Sequence, residues 1–143
     1  MWGLCFFAGH AFLARARRSG DAATELAARR RLRPWLVVEH VAFALAIGSA
    51  LVLLGLRGWT FTRAPWLGLK VGLVAGLLLP LEAMHAWICH SWVAPGLDET
   101  PAPPGSKRLQ RGIGMDEMLR SMAIPLLFLS LPLLVWLSII QPG

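Results

Sequence analysis

Residues 34–56 read PWLVVEHVAFALAIGSALVLLGL, an apolar run interrupted by one Glu-His pair. A helix needs about 20 mainly apolar residues to cross the hydrocarbon core of a bilayer, so this run is long enough. Comparable runs occupy residues 65–88 and 118–140, and a shorter one occupies residues 2–14. Only helices and closed barrels satisfy their backbone in lipid, and these runs lack the alternation of barrel strands. The sequence therefore predicts an all-α integral membrane four-helix bundle, a single transmembrane domain formed by residues 1–143.

Composition and charge point to a membrane as the main partner. Hydrophobic residues make up 56% of the chain and charged residues 15%, and the mean hydropathy is +0.58. These values lie outside the range of ordinary soluble domains. The net charge is +6, but seven of the fourteen basic residues lie between Arg15 and Arg33, directly after the first apolar run. Such a cluster is typical of a cytoplasmic anchor on anionic lipid, so we expect a lipid bilayer and no nucleic acid as partner.

The distribution of basic residues also predicts the topology. A polar, proline-rich loop is predicted at residues 95–112, and it contains basic residues, whereas the turn between the second and third runs contains only Arg57 and Arg63. Basic loops remain on the cytoplasmic side. Both termini are therefore predicted on the non-cytoplasmic side of a bacterial inner membrane. The short turn makes the second and third runs antiparallel neighbours.

Two features suggest that further helical surface completes the bundle. Residues 2–14 extend over only about 20 Å, less than the hydrocarbon core of about 30 Å. We expect either a half-length helix or, preferably, a true start codon upstream of Met1. Gly68, Gly72 and Gly76 form small-xxx-small steps, which favour close packing of a helix from this chain, from a second copy or from a larger membrane complex.

Ionisable residues inside the apolar runs concentrate at one level of the bilayer. The rise per residue places His10 and His40 at matching depth on neighbouring helices. Facing imidazoles of a helical bundle are a usual way to hold a b-type haem. His10 and His40 are thus predicted axial ligands, with His85 as substitute partner and Arg15 or Glu39 tuning the site or binding a propionate. Alternatively, each imidazole hydrogen-bonds a neighbouring helix or lies partly wet at the interface.

A second candidate site lies on the third run. Glu82 and His85 are three residues apart and share one helical face, with Cys89 one turn further along. Bundled carboxylate-bridged metal sites use this Glu-x-x-His step on two helices, and this chain has one copy. Glu39, His40, Asp116 and Glu117 are predicted to lie near the same depth. Imidazole and thiolate suit copper and zinc, so Glu82 and His85 are candidate ligands of a divalent metal or copper ion. A Glu82–His85 hydrogen bond, or a carboxylate kept neutral by burial, explains the pair without a metal.

Two further groups of charged residues have both a functional and a structural interpretation. Lys70 lies about five residues inside the third run, where a lysine ordinarily snorkels to the interface. It could instead dock an anionic substrate group or a quinone. Asp116, Glu117 and Arg120 form i,i+3 and i,i+4 pairs at the predicted start of the fourth helix, which favours a solvated helix cap.

Four short pieces of the chain carry a resemblance to a known family. They are Ala8-Gly9 with Arg15, residues 32–48, residues 66–70 (WLGLK), and Arg120 to Pro125 followed by an apolar run that ends at Gln141-Pro142. On these pieces the chain resembles the HemJ-type protoporphyrinogen oxidases and the CopD-like membrane domains, small helical bundles of one superfamily.

The resemblance implies a b-type haem and, in the enzymes, a functional pair of a first-span histidine and a third-span lysine. The lysine corresponds to Lys70, which is therefore the catalytic candidate. The histidine would fall at or just before Met1, so this chain as given lacks it. The family's Asn-Glu before the last-span proline is replaced near Met122 and Ala123, and its third-span histidine position is occupied near Glu82, with His85 a turn later.

The sequence therefore predicts a haem-associated or redox-accessory membrane component of the CopD/HemJ-like type. If the protein is an enzyme, the reaction is porphyrinogen oxidation, with haem relaying electrons and Lys70 placing the substrate carboxylates. Two alternatives remain. One is a structural subunit packed in a larger respiratory or photosynthetic complex. The other is a copper transport or resistance component, although the chain lacks the methionine and cysteine clusters that soft copper ligation favours.

Overall fold

A computed structural model of the chain describes residues 2–58, 65–98 and 106–139. Within these ranges the chain is helical apart from short turns, and it contains no strand. The predicted all-α class is thus confirmed for the described residues. The helices are α1 (Trp2–Arg18), α2 (Ala22–Arg57), α3 (a continuous rod of segments Pro65–Leu73, Val74–Leu78, Leu79–Ile88, Cys89–Val93 and Ala94–Asp98) and α4 (Lys107–Ile139).

Three of these helices, α2, α3 and α4, are long and apolar enough to cross a membrane. Helix α1 has 17 residues, a length of about 25 Å, which is shorter than the hydrocarbon core. The described residues therefore support a membrane protein with three candidate spans, where the sequence predicted four.

The helices run well beyond the apolar runs from which they were predicted. Helix α2 begins at Ala22, so Pro34, expected in its first turn, lies inside it. Helix α4 begins at Lys107, and both ends of the predicted loop at residues 95–112 are helical. Residues 99–105 of that loop lie outside the described residues. Hydropathy marks where a helix leaves lipid, whereas a helix ends where its capping and propensity end.

A capped turn between α1 and α2 determines how these two helices pack. Gly20 adopts a positive φ of 70°, a conformation that glycine reaches without strain. The Asp21 carboxylate then accepts hydrogen bonds from the backbone N–H groups of Ala23 and Thr24, each at 3.1 Å. This is an N-cap of α2. The chain reverses within these few residues, and α1 lies antiparallel against the first half of α2.

Both non-α segments of α3 end two residues before a proline. Val74–Leu78 and Cys89–Val93 are π-helical, and they precede Pro80 and Pro95. Proline clashes with the carbonyl four residues earlier and offers it no donor, so a widened turn relieves the crowding. The carbonyl left without its helical donor by Pro95 is that of Ser91. It accepts a hydrogen bond from Arg108 Nη2 of α4 at 3.0 Å.

Helices α3 and α4 pack through two hydrophobic clusters with a charged layer between them. One cluster consists of Phe43, Leu78, Leu81, Ala123 and Leu127, and the other of Ile88, Val93, Leu97, Leu109 and Leu119. The helices approach most closely at Gly112, where an added Cβ would lie 2.8 Å from Trp92 Cβ. By contrast, a Cβ added at Gly72 or Gly76 would meet nothing within 4 Å. No described helix of this chain therefore covers the predicted glycine face of α3, and a partner helix there stays a prediction.

The close approach at Gly112 leads to a stability prediction. We expect Gly112→Ala to weaken the α3–α4 contact by about 1–3 kcal/mol, because the extra methyl group overpacks the crossing against Trp92. Gly114→Ala is the matched control, since its Cβ would meet nothing within 4 Å. It should leave stability unchanged or raise it by up to about 1 kcal/mol through helix propensity. Thermal unfolding in detergent, followed by circular dichroism, measures both; equal effects would contradict the close approach.

The α2 cap leads to a prediction of pH dependence. Hydrogen bonds from the Thr24 hydroxyl and from the backbone N–H groups of Ala23 and Thr24 hold the pKa of Asp21 below its ordinary value of 3.8. The carboxylate therefore stabilises the turn above the unfolded-state pKa, and that stabilisation is lost as the pH falls through the lower folded-state pKa. Hydrogen-exchange protection factors of Ala23 and Thr24 should drop in this acid range. Asp21→Asn, a cap that does not titrate, should show no such drop.

Candidate functional site

A layer of charged and polar side chains is buried between the two hydrophobic clusters. We call it the polar layer; its members come from α2, α3 and α4 and are Arg29, Glu39, His40, Glu82, His85, Asp116 and Arg120. His85 is completely buried, and Asp116 is 1% exposed. Buried ionisable groups in a membrane helix are expensive and are a default indication of function. Of the residues predicted to lie at one level, Glu39, His40, Glu82 and His85 come together in this layer.

Asp116 is the centre of the ion pairs in the polar layer. Its Oδ2 accepts a hydrogen bond from Arg29 Nη1 of α2 at 2.9 Å, and its Oδ1 accepts one from Arg120 Nε of α4 at 2.9 Å. Arg120 Nη2 lies 2.8 Å from His85 Nε2 of α3. One carboxylate thus neutralises parts of two buried guanidinium groups and joins α2 to α4, and Arg120 extends the connection to α3.

The partner of His85 determines where its proton lies. A guanidinium group only donates hydrogen bonds, so His85 Nε2 accepts from Arg120 and the ring proton resides on Nδ1. Nδ1 lies 4.0 Å from Glu39 Oε1. The ring therefore has arginine and Asp116 at its Nε2 edge and a carboxylate at its Nδ1 edge.

The opposite part of the polar layer is acidic and contains His40. His40 Nδ1 of α2 lies 2.5 Å from Glu82 Oε1 of α3. The His40 ring centroid is 5.4 Å from that of His85 and 5.3 Å from that of His90. Within the described residues, His40 Nε2 and Glu39 Oε1 are buried and have no hydrogen-bond partner. Buried polar atoms of this kind are usually satisfied by water or an ion.

Two overlapping groups of side chains have the spacing of metal ligands. In each of the groups His40–Glu82–His85 and His85–Cys89–Asp116, one ligand atom from each residue lies within 4.8 Å of the others. The second group contains Asp116, which already pairs with two arginines that repel a cation. The first group faces Glu39 and contains no arginine. Electrostatics therefore favour His40, Glu82 and His85 as the ligand set, with Glu39 as an additional acceptor.

The structure does not bring His10 to this site. Gly9 lies beside Leu32, since a Cβ on Gly9 would be 4.0 Å from Leu32 Cδ2, so His10 is level with Arg31. His40 lies about 14 Å further along α2 at 1.5 Å per residue. His10 instead lines a cavity of about 350 Å³ between α1 and α4, whose lining includes Asp116 and Arg120 of the polar layer but neither His40 nor His85. In the described chain, no ring contact or hydrogen bond joins His10 to His40. The sequence predicted matching depths for His10 and His40 because it did not reveal the tight turn at Gly20, which sets the height of α1 against α2.

Two further candidate residues, Lys70 and Arg15, lie apart from the polar layer. Lys70 Nζ is 4.6 Å from the ring centroid of Trp66 and lines an apolar groove of about 580 Å³. Along α3 this position is about 22 Å from His85. Arg15 is exposed in a groove between α1 and α2. Lys70 and Arg15 thus share no contact surface with His40 or His85 in the described part of the chain.

Sequence reasoning did not predict that Arg29, Asp116 and Arg120 are buried in this layer. Arg29 was assigned to a lipid anchor, and Asp116 with Arg120 to a solvated cap, but their exposures are 5%, 1% and 3%. The reason is the early start of α4 at Lys107, which places Asp116 in the third turn instead of the first. The i,i+4 spacings of Glu25 with Arg29 and of Asp116 with Arg120 were the available signal.

Comparison of the chain with protein-family models, curated proteins and solved structures finds no significant match. The geometry of the polar layer is therefore the basis from which function is inferred.

The double ion pair of Asp116 leads to a testable contrast with its neighbour. Asp116→Asn removes the carboxylate that the buried Arg29 and Arg120 share, and it leaves Arg29 paired, among the described residues, only with Glu25 and Glu117. We expect this loss to cost about 3–5 kcal/mol. Glu117→Gln is the control, because Glu117 is 36% exposed, pairs mainly with the exposed Arg17, and lies 3.6 Å from Arg29 Nη2, whereas Asp116 lies 2.9 Å from Arg29 Nη1. Exposed pairs contribute about 0–1 kcal/mol. Unfolding in detergent by denaturant compares the two variants; a cost for Asp116→Asn no larger than that for Glu117→Gln would refute the central role of Asp116.

Proposed function

We propose that this chain is a multi-pass bacterial inner-membrane protein of the CopD/HemJ-like type that binds a divalent transition-metal ion between α2 and α3. In this proposal it serves as a redox-accessory or metal-handling component. The observation that supports it is the meeting of His40 from α2 with Glu82 and His85 from α3. The sequence offered one Glu-x-x-His step, and the fold adds a second imidazole from another helix.

The donor set suits a borderline divalent ion. Imidazole nitrogen binds zinc, copper, iron and nickel, and carboxylate oxygen completes such sites. Glu39 and Glu82 supply two carboxylates, which offset the charge of a dication in a region of low dielectric constant. The arginines of the layer face the opposite edge of His85, so they pair with Asp116 and not with the ion.

The surroundings of His85 are also those of an oriented metal ligand. A ligating histidine ordinarily donates its other N–H to a carboxylate, which holds the ring in place. Were Nδ1 to bind an ion, the ring proton would move to Nε2. Arg120 Nη2, which donates to Nε2 at 2.8 Å, would then have to turn away, and Asp116 Oδ1, at 3.6 Å from Nε2, would accept the new hydrogen bond. Arg120 Nε keeps its hydrogen bond to the same carboxylate. Asp116 is therefore proposed as the positioning residue of His85.

The residues present do not fit a haem at this position. The His40 and His85 rings meet edge to face, with an interplanar angle of 70°, and the Glu82 carboxylate contacts the His40 ring nitrogen Nδ1. We therefore assign no step to haem, and Lys70 is not part of the proposed site.

The proposed topology follows the distribution of basic residues. The turn between α1 and α2 lies on the cytoplasmic side, since the arginines of residues 15–33 flank it. The polar layer then lies in the cytoplasmic part of the bundle, within reach of ions from that side.

The two other proposals are a packing subunit, favoured by the open glycine face of α3, and copper handling, which the metal experiment addresses directly.

Metal binding is tested on the full chain purified in detergent and treated with chelator. We expect one Cu(II), Zn(II) or Ni(II) ion per chain by equilibrium dialysis with elemental analysis. His40→Ala should lower the affinity at least about tenfold, since loss of a residue that only hydrogen-bonds a metal ligand already costs about 10–100-fold. His10→Ala is the matched control and should leave the affinity unchanged.

Two results would overturn this proposal. One is the absence of stoichiometric metal binding by the folded chain, which would leave the packing subunit as the better function. The other is a Soret band in stoichiometric preparations that disappears in His10→Ala or His40→Ala, which would establish haem ligation.

A further inference from the structure

A groove between α1 and α2 carries positive charge that the protein itself does not neutralise. Its lining includes Phe12, Arg15, Ala16, Ala27, Ala28 and Arg31, and its volume is about 450 Å³. Small alanine side chains leave room between the helices, and one arginine from each helix borders the space. No acidic side chain lines this groove.

The other arginines of these helices are largely used within the protein. Arg17 pairs with Glu117, Arg29 with Asp116, and Arg33 with Asp98. Arg30 Nη2 donates to the Leu97 carbonyl at 3.2 Å, which caps the end of α3. Arg15, Arg18 and Arg31 differ: all three are exposed, and in the described part of the chain none makes an ion pair or hydrogen bond. Of these three, Arg15 and Arg31 line the groove.

The hydroxyl groups near the groove do not compete for its ligand. Ser19 Oγ donates to the Ala16 carbonyl at 2.6 Å, and Thr24 Oγ1 donates to Asp21 Oδ2 at 2.6 Å. The Asp21 carboxylate is in turn occupied by the N-cap of α2. The donors that remain available in the groove are thus the two guanidinium groups.

The position of the groove along α2 places it at the membrane surface. Arg31 is followed closely by Trp35, which is 61% exposed, and exposed tryptophan is typical of the interface between lipid and water. Phe12, 42% exposed, and Arg31 lie at the groove's end nearer the apolar part of α1, whereas Arg15 lies at the end nearer the turn. A ligand in the groove therefore meets a guanidinium group toward each end and the aromatic ring of Phe12 beside Arg31.

We propose that the groove bordered by Arg15 and Arg31 binds the phosphate headgroup of an anionic phospholipid from the leaflet that faces the α1–α2 turn. Guanidinium groups bind phosphate through paired, charge-assisted hydrogen bonds, and two of them on opposite helices form a clamp. Phe12 contacts the glycerol and upper acyl region. The bound lipid would join α1 to α2 at the interface. This inference is independent of the proposed metal site.

The test compares two double variants that remove the same charge. Full-length protein in detergent is titrated with phosphatidylglycerol or phosphatidylcholine, and bound lipid is counted by native mass spectrometry. We expect the wild type to prefer phosphatidylglycerol. Arg15→Gln with Arg31→Gln should weaken phosphatidylglycerol binding about tenfold or more, given the attraction of each basic residue to an anionic lipid surface. Arg18→Gln with Arg111→Gln, both exposed and outside the groove, should retain binding.

Three outcomes would overturn the inference. Equal losses of phosphatidylglycerol binding in both double variants would mean diffuse charge attraction, and no loss in either variant would mean that the arginines do not bind the lipid. Displacement of the lipid by millimolar inorganic phosphate would identify a free anion as the ligand. The double variant Arg15→Lys with Arg31→Lys keeps the positive charge but removes the planar guanidinium groups and their paired N–H donors. Its affinity should fall between those of the wild type and the glutamine variant. Circular dichroism of all variants checks that the helices are intact.

Discussion

The bundle depends on one carboxylate, that of Asp116, held between two buried arginines. Burying a guanidinium group among apolar helices is tolerated only when it is fully paired. Arg29 reaches Asp116 from α2, and Arg120 reaches it from α4 while also contacting His85 on α3. A shift of any one helix along its axis would separate a buried charge from its partner. The ion pairs therefore specify the relative heights of α2, α3 and α4, more than they add to stability.

The same interaction gives the polar layer two chemically different sides. Arginines occupy the Nε2 edge of His85, and Glu39 with Glu82 occupies the region of Nδ1 and His40. A cation is repelled on the first side and attracted on the second. Of the two ligand groups that share His85, only the one containing His40 and Glu82 is suited to a metal ion. The charge arrangement, and not the spacing of ligand atoms, decides between them.

The sequence predicted correctly the features that depend on a single helix, and it failed for those that depend on the relative height of two helices. The apolar runs predicted α2, α3 and α4, and the three-residue spacing of Glu82 and His85 placed both on one face. The pairing of His10 with His40 required the height of α1 against α2, which the Gly20–Asp21 turn determines. The burial of Asp116 required the true start of α4. Hydropathy reveals neither the height of α1 against α2 nor the first residue of α4, because polar turns can continue a helix beyond the lipid.

The two ends of the bundle differ in how well they can hold a defined geometry. At the end near the polar layer, α3 and α4 pack closely at Gly112, and Arg108 and Arg30 donate to carbonyls near the carboxyl end of α3. At the other end, Leu51 and Leu56 are 62% and 79% exposed, and the Lys70 groove is wide and apolar. A functional site needs ligands held by rigid neighbours. The packed end satisfies that requirement, so the ion is proposed there, and the Lys70 end is left to lipid or to a partner helix.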